Sequence, residues 1–355
     1  MDLIEALERL VMAHGPPGQE DEVRGLIARE IADLADELFV DRMGNLIARR
    51  GSGGPRVMLD AHMDEVGMVV RHIENDGWVR FERQGGANER LLQGQRVTLL
   101  TRSGMIPGVI GAKGRHLLSQ EEVARTTPVE EMWIDIGAGS AEEAAELGVE
   151  VGDLCTFEKR FQRLGRGDLV CATSVDDRAG CLAVMEAFRM MEGANATVYA
   201  VFSVQEEVGC KGAKTAAFHI DPDVAFVVDT TYGLDPATTT KETTLQIGRG
   251  PVIRAWERRY TVPRRIYDLI VSTAEEEGIS YQPEVAVRGA TNASTVHLVR
   301  AGISTGEVLI ARRYSHSPIE VVSIGDIEAA AKLLAAVVNR IDAEWVVGGV
   351  ERRIK

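Results

Sequence analysis

The 355-residue chain carries 54 acidic against 40 basic side chains, for a net charge of −14. That balance argues against nucleic acid and anionic membranes as partners, because both recruit a basic face. With 45% hydrophobic residues the chain has material for a sizeable core, and its length reads as one large domain plus a smaller one.

Residues 1–37 predict two helical stretches around a Gly-Pro-Pro-Gly turn at 15–18. The first stretch, from Met1, is acidic and amphipathic and does not read as a signal peptide. Leu38 to Arg50 predicts strand, turn and strand. Val57-Met58-Leu59 is a short buried strand that runs straight into His62, and apolar sequence continues from Val66 to Val70. From about 70 to 162 the pattern changes. Short alternating segments such as Trp78 to Phe81 and Gln95 to Leu100 are separated by glycine turns and predict a small β-rich unit. A strand over Met132 to Ile136 and a short helix over Ser140 to Leu147 lie within it, and basic residues gather from Lys159 to Arg166.

From 167 onward, helices and strands alternate. Helices are expected over Arg178 to Glu192, Ala213 to Phe218, Pro263 to Glu277 and Gly325 to Glu344. Strands are expected over Ala196 to Ser203, Val224 to Asp229 and Ile303 to Leu309. This alternation implies an α/β sheet covered by helices on both faces. Residues 1–68 and 164–355 form that α/β unit, into which a β-rich unit over 69–163 is inserted. Cys155, Cys171, Cys181 and Cys210 lack C-x-x-C spacing and read as reduced core residues. No apolar run approaches the ~18 residues of a membrane span, so a cytoplasmic protein is expected.

Five short motifs carry chemistry: Ala61 to Glu65, Val175 to Arg178, Gln205 to Gly209, Val227 to Thr230 and Tyr314 to Pro318. Each has a bland reading when taken singly. His62 could be a strand-end histidine held by Asp64, Asp176 an N-cap, Glu206 and Glu207 solvated charges, and His316 a loop histidine. Together they read differently. His62, Glu206, Glu207 and Asp229 all follow apolar strands, and ligand sites in open α/β sheets lie at strand carboxyl ends. The arithmetic gives one metal His62, Asp176 and Asp229, and a second metal Asp176, Glu207 and His316. Asp176 bridges them, and Asp177 or Arg178 would orient it. Each metal keeps an open position, as catalytic sites do. Mixed imidazole and carboxylate donors suit Zn²⁺, Co²⁺ or Mn²⁺. Asp64 would orient the His62 ring through its second nitrogen. Glu206 remains free to act as general base.

With these residues in place, the chain resembles the co-catalytic metallo-aminopeptidases that include glutamyl and deblocking aminopeptidases. Many of these assemble as tetrahedral dodecamers, and some carry an endoglucanase label. The resemblance also rests on Gly15 to Glu20, Ile134 to Ala138, Gly152-Asp153 and Arg313 to Glu320. It implies an aminopeptidase with two divalent cations, acting on peptides. It further implies an inserted β-barrel used in dimerisation and assembly, hence a homo-oligomer between dimer and dodecamer. The family's ligands fall on His62, Asp176, Glu207, Asp229 and His316, its base on Glu206 and its orienting residue on Asp64. Asn292, Arg313 and Tyr314 are candidates for the substrate pocket. Asn292 stands where the family usually has an aspartate, which removes a charge near the expected site. Arg254, Arg258, Arg259, Arg264 and Arg265 read as surface or subunit-interface arginines, with a pocket for acidic substrates as the sharper alternative. The competing functions are a metal-dependent deacylase, a glycoside hydrolase (which usually needs no transition metal), and a catalytically weak peptide-binding scaffold.

Overall fold

A computed structural model describes residues 2–165, 167–191 and 195–347. Arg166 of the basic stretch and Glu192 of the helix expected from Arg178 lie outside the described residues, as do Met1 and residues 348–355.

The chain opens with helix α1 (Leu3–Met12), which the Asp2 carboxylate caps by accepting from the amides of Ile4 and Glu5. Its Ala6, Leu7, Leu10 and Val11 face the core at helical spacing. Helix α2 (Asp21–Ile31) buries Val23, Ile27 and Ile31 in the same way. Three strands follow: β1 (Glu37–Val40), β2 (Leu46–Arg50) and β3 (Arg56–His62).

The chain then leaves for a closed barrel. Its strands are β4 (Gly67–Ile73), β5 (Val79–Gln84), β6 (Arg96–Thr101), β7 (Gly104–Ile110), β8 (Ile134–Asp135) and β9 (Leu154–Phe157). Every neighbouring pair is antiparallel, in the order β4-β5-β8-β7-β6-β9. Two short helices, α3 (Gln120–Ala124) and α4 (Ala141–Glu146), decorate it. The barrel has its own core, with Met68, Phe81, Leu99, Ile134 and Phe157 among its members. β8 is shorter than the sequence pattern suggests: Met132 caps a 3-10 turn over Val129–Glu131, and only Ile134 and Asp135 pair as strand.

A hairpin of β10 (Phe161–Leu164) and β11 (Leu169–Ala172) returns the chain to helix α5 (Val175–Met190). The remaining elements alternate: β12 (Thr197–Ser203), α6 (Lys211–Ile220), β13 (Val224–Tyr232), β14 (Val252–Glu257), β15 (Tyr260–Thr261), α7 (Arg264–Glu276), β16 (Gln282–Ala286), α8 (Ala293–Val296), β17 (Ser304–Arg312), β18 (Glu320–Ser323), α9 (Ile324–Asn339) and α10 (Ala343–Val347). The helix expected over Gly325–Glu344 is therefore two. Asp342 accepts from the Trp345 amide and starts a fresh helix.

Among the described residues, nine strands form one mixed sheet in the order β1-β2-β12-β3-β13-β17-β14-β15, with β16 on β14. Its centre, β12-β3-β13-β17, is parallel. Apolar layers cover both faces. One includes Leu182, Phe188, Ile327 and Leu334 of α5 and α9, and the other Ala213, Ala217 and Val296 of α6 and α8. No helix among the described residues is long and apolar enough to cross a membrane. Cys155, Cys171, Cys181 and Cys210 are free.

Candidate metal centre

Parallel neighbours end on the same edge of a sheet, so their terminal residues meet. His62 is the last residue of β3 and pairs in register with Ser203, the last of β12. Glu206 and Glu207 follow β12 after one turn. Asp229 lies in β13, near its carboxyl end. Asp176 sits where α5 begins. It and Asp177 have non-helical backbone angles, so the regular helix starts after them. His316 comes from the loop between β17 and β18. The backbone around the site is contorted. Ser174, Gln205, Cys210, Tyr314 and His316 all have positive φ between 53° and 62°, where non-glycine residues are uncommon.

Two triplets of donor atoms result. One atom each from His62, Asp176 and Asp229 lie within 4.8 Å of one another, and so do atoms from Asp176, Glu207 and His316. His62 Nε2 is 3.3 Å from Asp176 Oδ1 and 4.0 Å from Asp229 Oδ1. His316 Nε2 is 3.2 Å from Asp176 Oδ2 and 3.5 Å from Glu207 Oε1. The other nitrogen of His62, Nδ1, donates to the Asp64 carbonyl at 3.0 Å, which leaves Nε2 free to face the cluster. The Asp64 carboxylate is farther from the ring, at 3.5 Å. It accepts instead from the amides of Glu206 and Glu207, at 2.9 and 3.0 Å. Asp64 therefore positions the Glu-Glu pair as well as the histidine. Glu206 belongs to neither triplet, and it receives the Cys210 thiol at 3.1 Å.

The electrostatics mark the site as built for positive charge. Burial pushes the Glu206 carboxyl up to about 8 and Glu207 up to about 7, with neighbouring carboxylates adding to both. Burial, then repulsion from Asp176, raises Asp229 well above the usual carboxylate range. Asp176 is the exception. Burial alone would raise it, but the Arg312 guanidinium and the two imidazoles hold it well below its ordinary value. Burial would lower His316, yet Glu207 and Asp176 lift its imidazole to about 10. Asp176 Oδ1 and Glu207 Oε1 are buried without a hydrogen-bond partner. Crowded carboxylates with orphaned oxygens are costly unless a cation compensates them. The residues present thus fit a divalent metal pair.

The remaining expected residues fall elsewhere. Asn292 is 1% exposed and donates to Asp60 Oδ2 at 2.8 Å and Ser203 Oγ at 3.0 Å, behind the cavity wall. Arg313 turns away and donates to the Leu234 carbonyl, and Tyr314 is exposed. Asp177 accepts from the amides of His62 and Gly180, and Arg178 donates to the Leu10 carbonyl, so neither orients Asp176. That task belongs to Arg312, which pairs with the Asp176 carboxylate, and to Glu320, which accepts from the Asp176 amide at 3.0 Å. The sequence signal for Arg312 is faint, because it closes β17 only past the stretch over Ile303 to Leu309 that reads as strand. The five arginines also separate. Arg254 is buried against Glu257, Glu284 and Glu307. Arg264 pairs with Asp268, and Arg265 stacks on Trp345. Arg258 and Arg259, joined by Arg288, line the cavity of about 440 Å³ that also holds His62, Glu206 and His316.

The sequence profile of the M42 glutamyl aminopeptidases matches residues 44–333. The chain belongs to this family. The lysyl aminopeptidase of Pyrococcus furiosus is 32% identical over 95% of this chain and 97% of its own. Aminopeptidase APDkam598 from the archaeon Desulfurococcus kamchatkensis has a TM-score of 0.94 at 37% identity, covering 99% of both chains. The TET1 peptidase of Pyrococcus horikoshii, described as assembling into a tetrahedron or a large octahedral shell, has a TM-score of 0.86 at 37% identity, covering 95% of this chain and 99% of that one. This M42 peptidase thus has the family and the fold that its motifs implied.

Proposed function

We infer that this M42 peptidase is a metal-dependent aminopeptidase that holds two divalent cations and prefers an acidic N-terminal residue. The observation that carries this is the pair of donor triplets sharing Asp176, with Glu206 beside them and outside both. His62, Asp176 and Asp229 would hold one cation, and Asp176, Glu207 and His316 the other. The mixed donors suit Zn²⁺, Co²⁺ or Mn²⁺. When bound, such a pair supplies Lewis acidity at the scissile carbonyl and lowers the pKa of the attacking water. Glu206 takes the proton of that water and hands it to the leaving amine. Asp64 holds the Glu206 backbone in place, and the Cys210 thiol fixes one carboxylate oxygen.

The substrate preference rests on Arg258, Arg259 and Arg288. They line the cavity and make no ion pair or hydrogen bond among the described residues. Arginines left unpaired in a cavity match a carboxylate side chain. Residues 1–68 and 164–355 act as the catalytic unit, and 69–163 as the barrel used for assembly. The assembling TET1 relative supports a homo-oligomer for this chain, and its four free cysteines suit the cytoplasm.

The direct test loads the protein with Zn²⁺ or Co²⁺ and follows amino-acid release from aminoacyl p-nitroanilides and peptides. Release is expected to stop with a chelator and to fall at least ~100-fold in Glu206→Gln, which keeps its metal content. Fully loaded protein that cleaves nothing in a broad panel refutes the assignment.

A further inference from the structure

A second groove, also of about 440 Å³, adjoins the catalytic cavity, and the two share Gly86, Tyr232 and His316 as lining. His316 therefore stands on the boundary between two spaces. Arg258, Arg259 and Arg288 line the first and not the second. The groove has the barrel on one side, with Arg83 and the loop Ala87 to Arg90, and Tyr232 and Ser315 of the α/β unit on the other. An enzyme that removes one residue at a time must also hold the rest of the chain, and this groove is the space on the far side of His316.

The charges in the groove are unequal. Arg83 is committed, since it donates to the Ala87 carbonyl at 2.9 Å and pairs with Glu89 at 3.2 Å. Arg90 is not. Its Nε donates to Thr126 Oγ1 at 3.1 Å, and its terminal nitrogens make no hydrogen bond or ion pair among the described residues. That leaves one guanidinium fork, oriented by its own stem, facing an open groove. Guanidinium forks bind carboxylates in bidentate fashion.

Building on the aminopeptidase reading, we propose that this groove binds the peptide downstream of the scissile bond and that Arg90 recognises a carboxylate there. The carboxylate is either the C-terminus of a short peptide or an acidic side chain. The barrel thus supplies part of the specificity as well as an assembly surface.

The test compares kcat/KM of the metal-loaded enzyme on Glu-Ala-Ala, on its C-terminal amide and on Glu-Glu-Ala-amide. Glutamyl p-nitroanilide serves as the substrate with no downstream residue. The wild type is expected to favour the free acid over the amide about tenfold, mostly through KM, as one charge-assisted pair provides. High salt shrinks that preference. Arg90→Ala brings the ratio near one, Arg90→Lys keeps part of it and Arg90→Glu inverts it. Recovery with Glu-Glu-Ala-amide shows that an acidic side chain is read in place of the C-terminus, and no recovery confines the recognition to the C-terminus. Equal wild-type rates on all three peptides overturn the proposal. So does Arg90→Ala slowing the p-nitroanilide as much as the free acid. Wild-type enzyme that fails on the p-nitroanilide itself overturns the aminopeptidase reading and this proposal with it.

Discussion

Replacing Asn292 by aspartate is expected to destabilise the protein and to do so more as pH rises. The Asn292 amide lies 2.8 Å from Asp60 Oδ2, and both side chains are buried. Burial pushes the Asp60 carboxyl up to about 6, and the bonds from Ser203 and Asn292 limit the rise. An aspartate at 292 sets a second carboxylate against the first. Two full charges at that separation repel by ~6 kcal/mol at an effective dielectric of 20, so the pair retains one proton instead. A carboxyl whose folded pKa is raised contributes stability that is present in acid and lost as pH rises through the folded value. Between pH 5 and 8 the variant loses ~1.4 kcal/mol per unit throughout, whereas the wild-type Asp60 loses it only below about 6. The deficit of Asn292→Asp is therefore expected to grow by about 3 kcal/mol from pH 5 to pH 8. Urea denaturation of both proteins in the same metal state, at four pH values, measures this. An unchanged midpoint at pH 8, or a deficit that ignores pH, refutes the reasoning.

Three further outcomes follow from the same geometry. Reversing Arg258 and Arg259 to glutamate should lower kcat/KM on glutamyl p-nitroanilide more than ~10-fold and raise it on the lysyl compound; unchanged selectivity would mean the pair faces away from substrate. At pH 7 the proposed ligand His316, raised to about 10, carries a proton in the metal-free protein, and Glu207, raised to about 7, carries one part of the time. Cation binding must expel them, so apparent affinity rises with pH, and calorimetry in buffers of different ionisation enthalpy should count net proton release. Finally, Lys159→Met removes the cation closest to the buried Glu65, leaving only Arg178 at 3.6 Å. A loss of ~3 kcal/mol in denaturation is expected, with part of it restored by adding Glu65→Gln.

Strand ends were the legible part of this molecule. An apolar run closed by His62, by Glu206-Glu207 or by Asp229 announces itself in sequence, and those runs do converge on one edge. What sequence hides is how far a strand continues past its apolar stretch. The pattern ends one strand at Asp229 and another at Leu309, but Thr230 to Tyr232 and Ile310 to Arg312 go on pairing in register. Those extra residues decide which of Arg312 and Arg313 turns inward, and the sequence pattern does not reach them. The place of Asn292 is hidden for a different reason. Its partner Asp60 is 232 positions away, and no local pattern reports such a contact. The same holds for the helix break before Asp342, where a single capping carboxylate outweighs a continuous helical periodicity.

The barrel reaches the edge that carries the donor triplets through two glycines. A methyl group on Gly85 would come within 3.1 Å of Glu207 Oε2, and one on Gly86 within 2.6 Å of His316 Nδ1. The turn after β5 therefore rests directly on two of the side chains that face Asp176, with no slack between them. A tilt of the barrel has nowhere to dissipate before it reaches them. If the proposed homo-oligomer grips the barrel, quaternary packing and the shape of the edge that carries the donor triplets become one mechanical system, with a two-glycine turn as its point of contact.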